Sequence, residues 1–244
     1  MRTSLVLAFA SLFVLVRAGS LLADDAGPAG IVDKAIKATG GEDKIKKFKT
    51  HTWKVKGTYH GMGNPIEFTG SYAVDWPDKF RAEIEGYAII VLNGDKGWMQ
   101  TMGETKEMDA EQLAEQKESN YAGYVATLLP LKDKAYTLTP LGEVKVGDRP
   151  AVGVKVSSKG HRHVELYFDK DTNLLIKSQT RVKSREQEGK EMDQESLYAD
   201  YKEMDGAKVP MKVTINREGK VYVESENSDV KPVDKLDDST FGKP

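Results

Sequence analysis

Apolar and polar positions alternate along most of this chain with a period of two. From Trp53 to Tyr59, the residues Trp53, Val55, Gly57 and Tyr59 are apolar or small, while Lys54, Lys56 and Thr58 between them are polar. A period of two places every second side chain on one face of a strand. The same alternation runs through Ile66, Phe68, Gly70, Tyr72 and Val74, and again through Phe80, Ala82 and Ile84. Turn signals separate the runs, first Gly61-Met62-Gly63-Asn64-Pro65 and then Trp76-Pro77-Asp78-Lys79. The pattern predicts an antiparallel meander with one wet face. The stretch from Tyr87 to Leu92 departs from it, being apolar at every position, so it needs cover on both faces. Asn93-Gly94-Asp95-Lys96-Gly97 closes that strand.

The period lengthens to that of a helix in two places. Ile31, Val32, Ala35 and Ile36 form a short apolar stripe that Gly40-Gly41 stops, which predicts an amphipathic helix over 30–48. Residues 109–128 predict a second helix. Asp109 is its N-cap, Gln112 completes a capping box, Leu113, Tyr121, Tyr124, Val125 and Leu128 form its stripe, and Pro130 ends it. Strands return at about 135–144, 149–157, 162–169, 173–183, 192–203, 208–217 and 220–230. The expected class is mainly β with α (α+β): about eleven antiparallel strands curling into a barrel or part-barrel under covering helices.

Composition bounds the rest. A chain of 244 residues, 39% hydrophobic, can bury one sizeable core. No linker divides it, so residues 24–244 are expected to form a single domain. Residues 1–23 read as a signal peptide: Arg2, then an almost unbroken apolar run from Leu5 to Val16, then small residues. The run falls short of the ~20 residues that a spanning helix needs. Ala23 is the preferred cleavage position and Ala18 the alternative. The chain is therefore read as exported, to the periplasm or beyond the cell. It has no cysteine, which excludes disulfides, thiol catalysis and a lipidated N-terminal cysteine. Without the leader, 34 Lys+Arg stand against 38 Asp+Glu, evenly mixed. That balance argues against nucleic acid or anionic lipid as the main partner.

Candidate chemistry is sparse. No nucleophile elbow or Gly-rich phosphate loop occurs. The histidines are His51, His60, His161 and His163. If 161–165 is strand, His161, His163 and Glu165 share a face, a conceivable zinc set. The competing reading makes Arg162, Val164, Leu166 and Phe168 the buried face and leaves His161, His163, Glu165 and Tyr167 to solvent. We expect no catalytic residue, no metal and no cofactor. A binding role fits better. Trp53, Phe68, Tyr72, Phe80, Ile90, Leu92, Trp98 and Met99 lie on successive strands, on faces expected to line one concave surface. One or two helices cannot fill the concavity of a part-barrel, so an apolar cavity should remain. Residues 103–130 are its expected lid.

The order of motifs in the second half is familiar. "YFDKDTNLLIKSQTRV" (167–182) precedes "DYKEMDGAKVPMKVTINREGKVYVES" (200–225), and the chain closes on "DVKPVDKLDDSTFGKP" (229–244). Upstream stand a short helix ending in Gly-Gly, a strand with Trp53, and "GDKGWMQ" (94–100) before a helix. This order, over residues 30–244, resembles the outer-membrane lipoprotein-sorting proteins, the LolA/LolB-like superfamily. The resemblance implies a curved antiparallel half-barrel, plugged by helices, around an apolar cavity that takes acyl chains in the family's carriers. It implies no catalytic residue. The expected function is a periplasmic binding or carrier protein, monomeric, for lipid or acylated peptide, envelope lipoproteins included. The alternative is an envelope sensor or protein-interaction module on the same fold.

Overall fold

The computed structural model describes residues 27–184 and 189–244; the expected leader lies outside the described residues. The chain starts with helices α1 (Pro28–Thr39) and α2 (Glu42–Lys47). Six strands follow: β1 (Thr50–Tyr59), β2 (Ile66–Asp75), β3 (Lys79–Ile84), β4 (Ala88–Asn93), β5 (Lys96–Thr101) and β6 (Glu104–Glu107). Helix α3 (Ala110–Ala126) separates them from β7 (Tyr136–Val146), β8 (Arg149–Ser158), β9 (Val164–Asp169), β10 (Leu175–Ser184), β11 (Lys190–Met204), β12 (Ala207–Arg217) and β13 (Lys220–Pro232). A 3-10 turn, Asp238–Phe241, comes last.

The strands form one open antiparallel sheet in the order β6-β5-β4-β3-β2-β1-β13-β12-β11-β10-β9-β8-β7. Two meanders are joined by pairing of β1 with β13. The edges are β6 and β7, and these are consecutive in sequence. The chain must therefore cross the sheet between them, and α3 is that crossing. A curved sheet with its connection on the concave side is a half-barrel with a built-in lid.

The thirteen strands exceed the eleven or so read from the pattern. Those not read are β5 and β6. The Gly-rich turn before β5 blurs its start, and Glu104-Thr105-Lys106-Glu107 has no apolar alternation. A short, charged edge strand needs neither a buried face nor a second partner. The predicted helix over 30–48 is split in two, because Gly40 and Gly41 take φ of 124° and 90°. A Cβ on Gly40 would sit 2.2 Å from the Gly206 carbonyl oxygen, so the break docks tightly on the β11–β12 turn. Helix α3 starts as expected. The Gln112 amide donates to Asp109 Oδ1 at 2.9 Å, and the Asp109 amide donates back to Gln112 Oε1 at 3.2 Å.

The filled core lies at one end of the arc. There α1 and α3 bring Val32, Ala35, Ile36, Tyr121 and Val125 onto the inward residues of β8 and β9: Val154, Val156, Val164, Leu166 and Phe168. The doubly apolar strand β4 is covered twice. Leu92 is buried on the concave side and Val91 on the convex side, where Phe241 of the 3-10 turn packs on Val91 and Ala73. Asp237 accepts from the Ser239 amide at 2.8 Å, and Asn93 Nδ2 donates to the Phe241 carbonyl at 3.2 Å. The closing "DDSTF" stretch is thus an apolar plug with its own cap.

Candidate functional site

Thirteen strands spaced ~4.8 Å apart make an arc of roughly 60 Å. Helices of 12 and 17 residues are about 18 and 25 Å long and fill only part of it. What they leave, over β1–β3 and β10–β13, is a cavity of about 790 Å³. Its floor is buried and aliphatic or aromatic: Ile45, Phe48, Leu128, Leu175 and Ala207. Helix α3 roofs it with Gln116, Asn120, Gly123 and Ala126. Its rim, at the other end of the strands, carries Tyr59, Met62, Ile66, Ile84, Tyr87 and Tyr222. None of these six is buried, and Met62 and Tyr87 are exposed, so the cavity is open at the rim.

Aromatic rings build one wall. Phe48 meets His51 edge-on with centroids 5.9 Å apart; His51 stacks on Trp53 at 5.0 Å and Trp53 on Tyr72 at 5.1 Å; Tyr72 meets Phe80 edge-on at 6.1 Å. Strand register makes this ladder, since Trp53 pairs with Tyr72, and Phe80 pairs with Val74 one step along the same face of β2. Of the residues expected here, Trp53, Phe68, Tyr72 and Phe80 line the cavity. Ile90, Leu92 and Met99 share that face by register but lie to the side of it, with Leu92 buried where α3 approaches β4 and β5. Trp98 is on the convex face, packed against the cluster of Ala73, Val91 and Phe241. Adjacent residues of a strand point oppositely, so Met99 and Trp98 cannot both face inward.

The opposite wall comes from β11–β13, which the sequence reading did not assign: Tyr198, Tyr201, Val213, Ile215 and Val223. Tyr198 and Tyr201 are three apart, yet both line the cavity, because Asp200 between them takes φ 54° and breaks the alternation. Their hydroxyls are tied back. Tyr201 donates to the Leu175 carbonyl at 2.5 Å, and the Tyr198 hydroxyl bonds Ser178 Oγ at 2.9 Å. Burial raises the pKa of Tyr72, Tyr198 and Tyr201, so the wall stays neutral. Lys208 is the one formally charged side chain among the described lining residues.

His51 is neutral for the same reason. Burial lowers its pKa to about 4, against the opposing bond its Nδ1–H donates to the Phe48 carbonyl at 2.7 Å. The unfolded chain binds a proton near pH 6.5 and the folded chain does not, so this contribution is complete above pH 6.5 and fades as pH falls towards 4. Up to about 3 kcal/mol is lost in that window. The melting temperature should fall between pH 7 and pH 5, and His51→Gln should flatten that fall. Parallel curves for the two proteins would remove His51 as the cause.

Helix α3 is fastened to the far strands by charge. Arg162 donates to both carboxylate oxygens of Glu115, at 3.0 and 2.8 Å, and the Lys183 amide donates to Glu115 Oε1 at 2.8 Å. One turn on, Glu118 accepts from His161 Nδ1 and from the Arg162 amide, each at 2.8 Å. The His161 ring stacks on Tyr121 with centroids 3.9 Å apart. This corrects the face assignment around His161, and Tyr167, expected in solvent, is buried with Ala151 and Ile176. Strand β9 begins at Val164, so the period of two does not reach back to His161, which turns to α3 while His163 stays outside with Glu165. Among the described residues no three His, Asp or Glu side chains are placed to hold a metal ion. Nor is any helix among them long and apolar enough to cross a membrane.

No protein-family model matches the sequence, and no curated protein sequence does. Solved structures match at the level of fold. A LolA superfamily protein from Nitrosomonas europaea superposes with a TM-score of 0.58 at 13% identity, over 89% of this chain and 98% of that one. A DUF1329 family protein from Desulfovibrio piger gives 0.58 at 10% identity, over 88% and 97%. A putative outer membrane lipoprotein-sorting protein domain from Vibrio parahaemolyticus gives 0.53 at 10% identity, over 86% and 97%. The fold is therefore the LolA-like open half-barrel that the motif order suggested.

Proposed function

We propose that this protein binds the apolar part of a lipid or acylated peptide and carries or buffers it in the bacterial envelope. The observation that supports this reading is the cavity itself: about 790 Å³, walled by aromatic and aliphatic side chains, floored at one end and open at the other. Sites for small ligands are typically ~300–1,000 Å³ with mostly apolar walls. A chain with ~15 buried methylenes gains on the order of 12 kcal/mol before the losses of ordering are subtracted, so no specific polar contact is required. The similarity to a putative lipoprotein-sorting domain agrees with such a cargo. The leader read at residues 1–23 would deliver the chain to the envelope, where acylated substrates reside. A protein-interaction module on this fold would be expected to have a filled interior, which the cavity argues against.

Native mass spectrometry of the protein purified from its own envelope, followed by lipid extraction, tests this directly. Phospholipid or acylated peptide at about one per chain is the expected result. Protein that arrives without lipid and fails to take up a fluorescent fatty acid would overturn it.

A further inference from the structure

Four large apolar side chains are exposed among the described residues: Met62, Tyr87, Met102 and Val221. All four sit at one edge of the half-barrel. Met62 is in the β1–β2 turn, Tyr87 in the β3–β4 turn, Met102 in the β5–β6 turn, and Val221 one residue past the start of β13, beside the β12–β13 turn. By strand order these tips are successive, two strands apart, so they form a row of roughly 30 Å. Two of them, Met62 and Tyr87, also line the cavity, so the row borders its mouth. At the opposite edge the turns Gly94-Asp95, Gly147-Asp148 and Asp205-Gly206 are polar, and Trp76 and Leu174 in the two other turns there are buried.

Met102 is the most informative of the four. It is fully exposed, at 103% of its reference area, and takes φ 51°, with Gly103 following at φ 80°. Two positive-φ residues at a hairpin tip strongly favour Asn-Gly or Asp-Gly. A methionine there carries both backbone strain and exposed apolar surface without making a contact within the fold. We infer that the row is a docking edge that sets the cavity mouth against a lipid bilayer with neutral, zwitterionic headgroups. Separate tips, each with one large apolar side chain, suit a fluid interface that accommodates each independently. They do not form the continuous surface of ~1,000 Å² that a stable protein partner requires. Charge selects the headgroup. The tips bear Glu85, Glu104 and Glu218 against Arg217 and Lys220, with no basic excess to favour anionic lipid. This inference goes beyond ligand binding and does not depend on what the cavity holds.

The absence of cysteine makes the test clean. Met102→Cys, and Asp148→Cys at the opposite edge, are each labelled with an environment-sensitive fluorophore and mixed with phosphatidylcholine vesicles. Position 102 should shift to the blue in both 0.1 and 0.5 M salt, and position 148 should not. Met102 and Val221 lie outside the cavity lining, so they report docking rather than loading of lipid. Met102→Asn suits the turn better and should melt no lower than the parent, yet partition to vesicles about fivefold less; adding Val221→Ser should bring the loss beyond about tenfold. The inference is overturned by failure to float with phosphatidylcholine vesicles, by binding confined to anionic vesicles and lost in salt, or by a blue shift that rises with protein concentration alone, which would mean that a second copy covers the row. Fatty-acid uptake, measured separately, reads the cavity and is unaffected by any of these results.

Discussion

Glu115→Ala is expected to lower the unfolding free energy by about 3 kcal/mol and to speed the exchange of an apolar ligand. Glu115 is only 8% exposed, and it accepts from both terminal nitrogens of Arg162 and from the Lys183 amide. Removing it takes two bonds from a partly buried guanidinium, which keeps the one that Nη1 donates to the Arg181 carbonyl, and one from a backbone donor, and each loss is costly. Burial alone would raise the Glu115 pKa, but the bonds from Arg162 and Lys183 outweigh it and hold the carboxyl below its ordinary value. Its contribution is therefore present above the ordinary carboxylate pKa and is lost as pH falls through the lowered one. Glu115→Gln keeps the shape and loses the charge, and should remove about 1 kcal/mol. Urea unfolding at pH 7 gives the stabilities, and stopped-flow release of a fluorescent fatty acid gives the exchange rate. An alanine variant within about 0.5 kcal/mol of the parent, with unchanged release, would show that α3 is held by other means.

Val213→Trp should weaken binding of the same fatty acid at least tenfold, equivalent to about 1.4 kcal/mol, with little change in melting temperature. Val213 faces the cavity from β12, opposite the aromatic ladder, and is only partly buried. An indole there would enter existing space rather than displace core atoms, so the overpacking penalty of a filled interior does not apply. It would cover roughly 150–250 Å² of wall and take the volume that an acyl chain would occupy. If binding is unchanged in a folded variant, the ligand lies elsewhere and the cavity assignment fails.

Much of the architecture was legible in the alternation. The strands β1–β4 and β7–β13, the capping box of α3 and the need for two covers on β4 all follow from local pattern and turn chemistry. The site was only half legible. Trp53, Phe68, Tyr72 and Phe80 lie on strands whose alternation is unbroken, so their shared face could be read. On β11 of the opposite wall it could not, because Asp200 interrupts the alternation between Tyr198 and Tyr201. Trp98 and Met99 show the same limit from another side. Both are large and apolar, and composition does not say which one faces inward.

The sequence by itself determined most of the strands and helices, β5 and β6 excepted, where the chain turns between them, and that a long curved sheet would face short helices. These depend on neighbours within a few residues. Only the tertiary structure decided that β1 pairs with β13, and hence that β6 and β7 become the edges α3 must bridge. It also decided that Glu115 meets Arg162, 47 residues away, and that the exposed apolar tips share one edge with the cavity mouth. Pairings of this kind join residues far apart in the chain, and the choice among them rests on the packing of the whole, which no local period encodes.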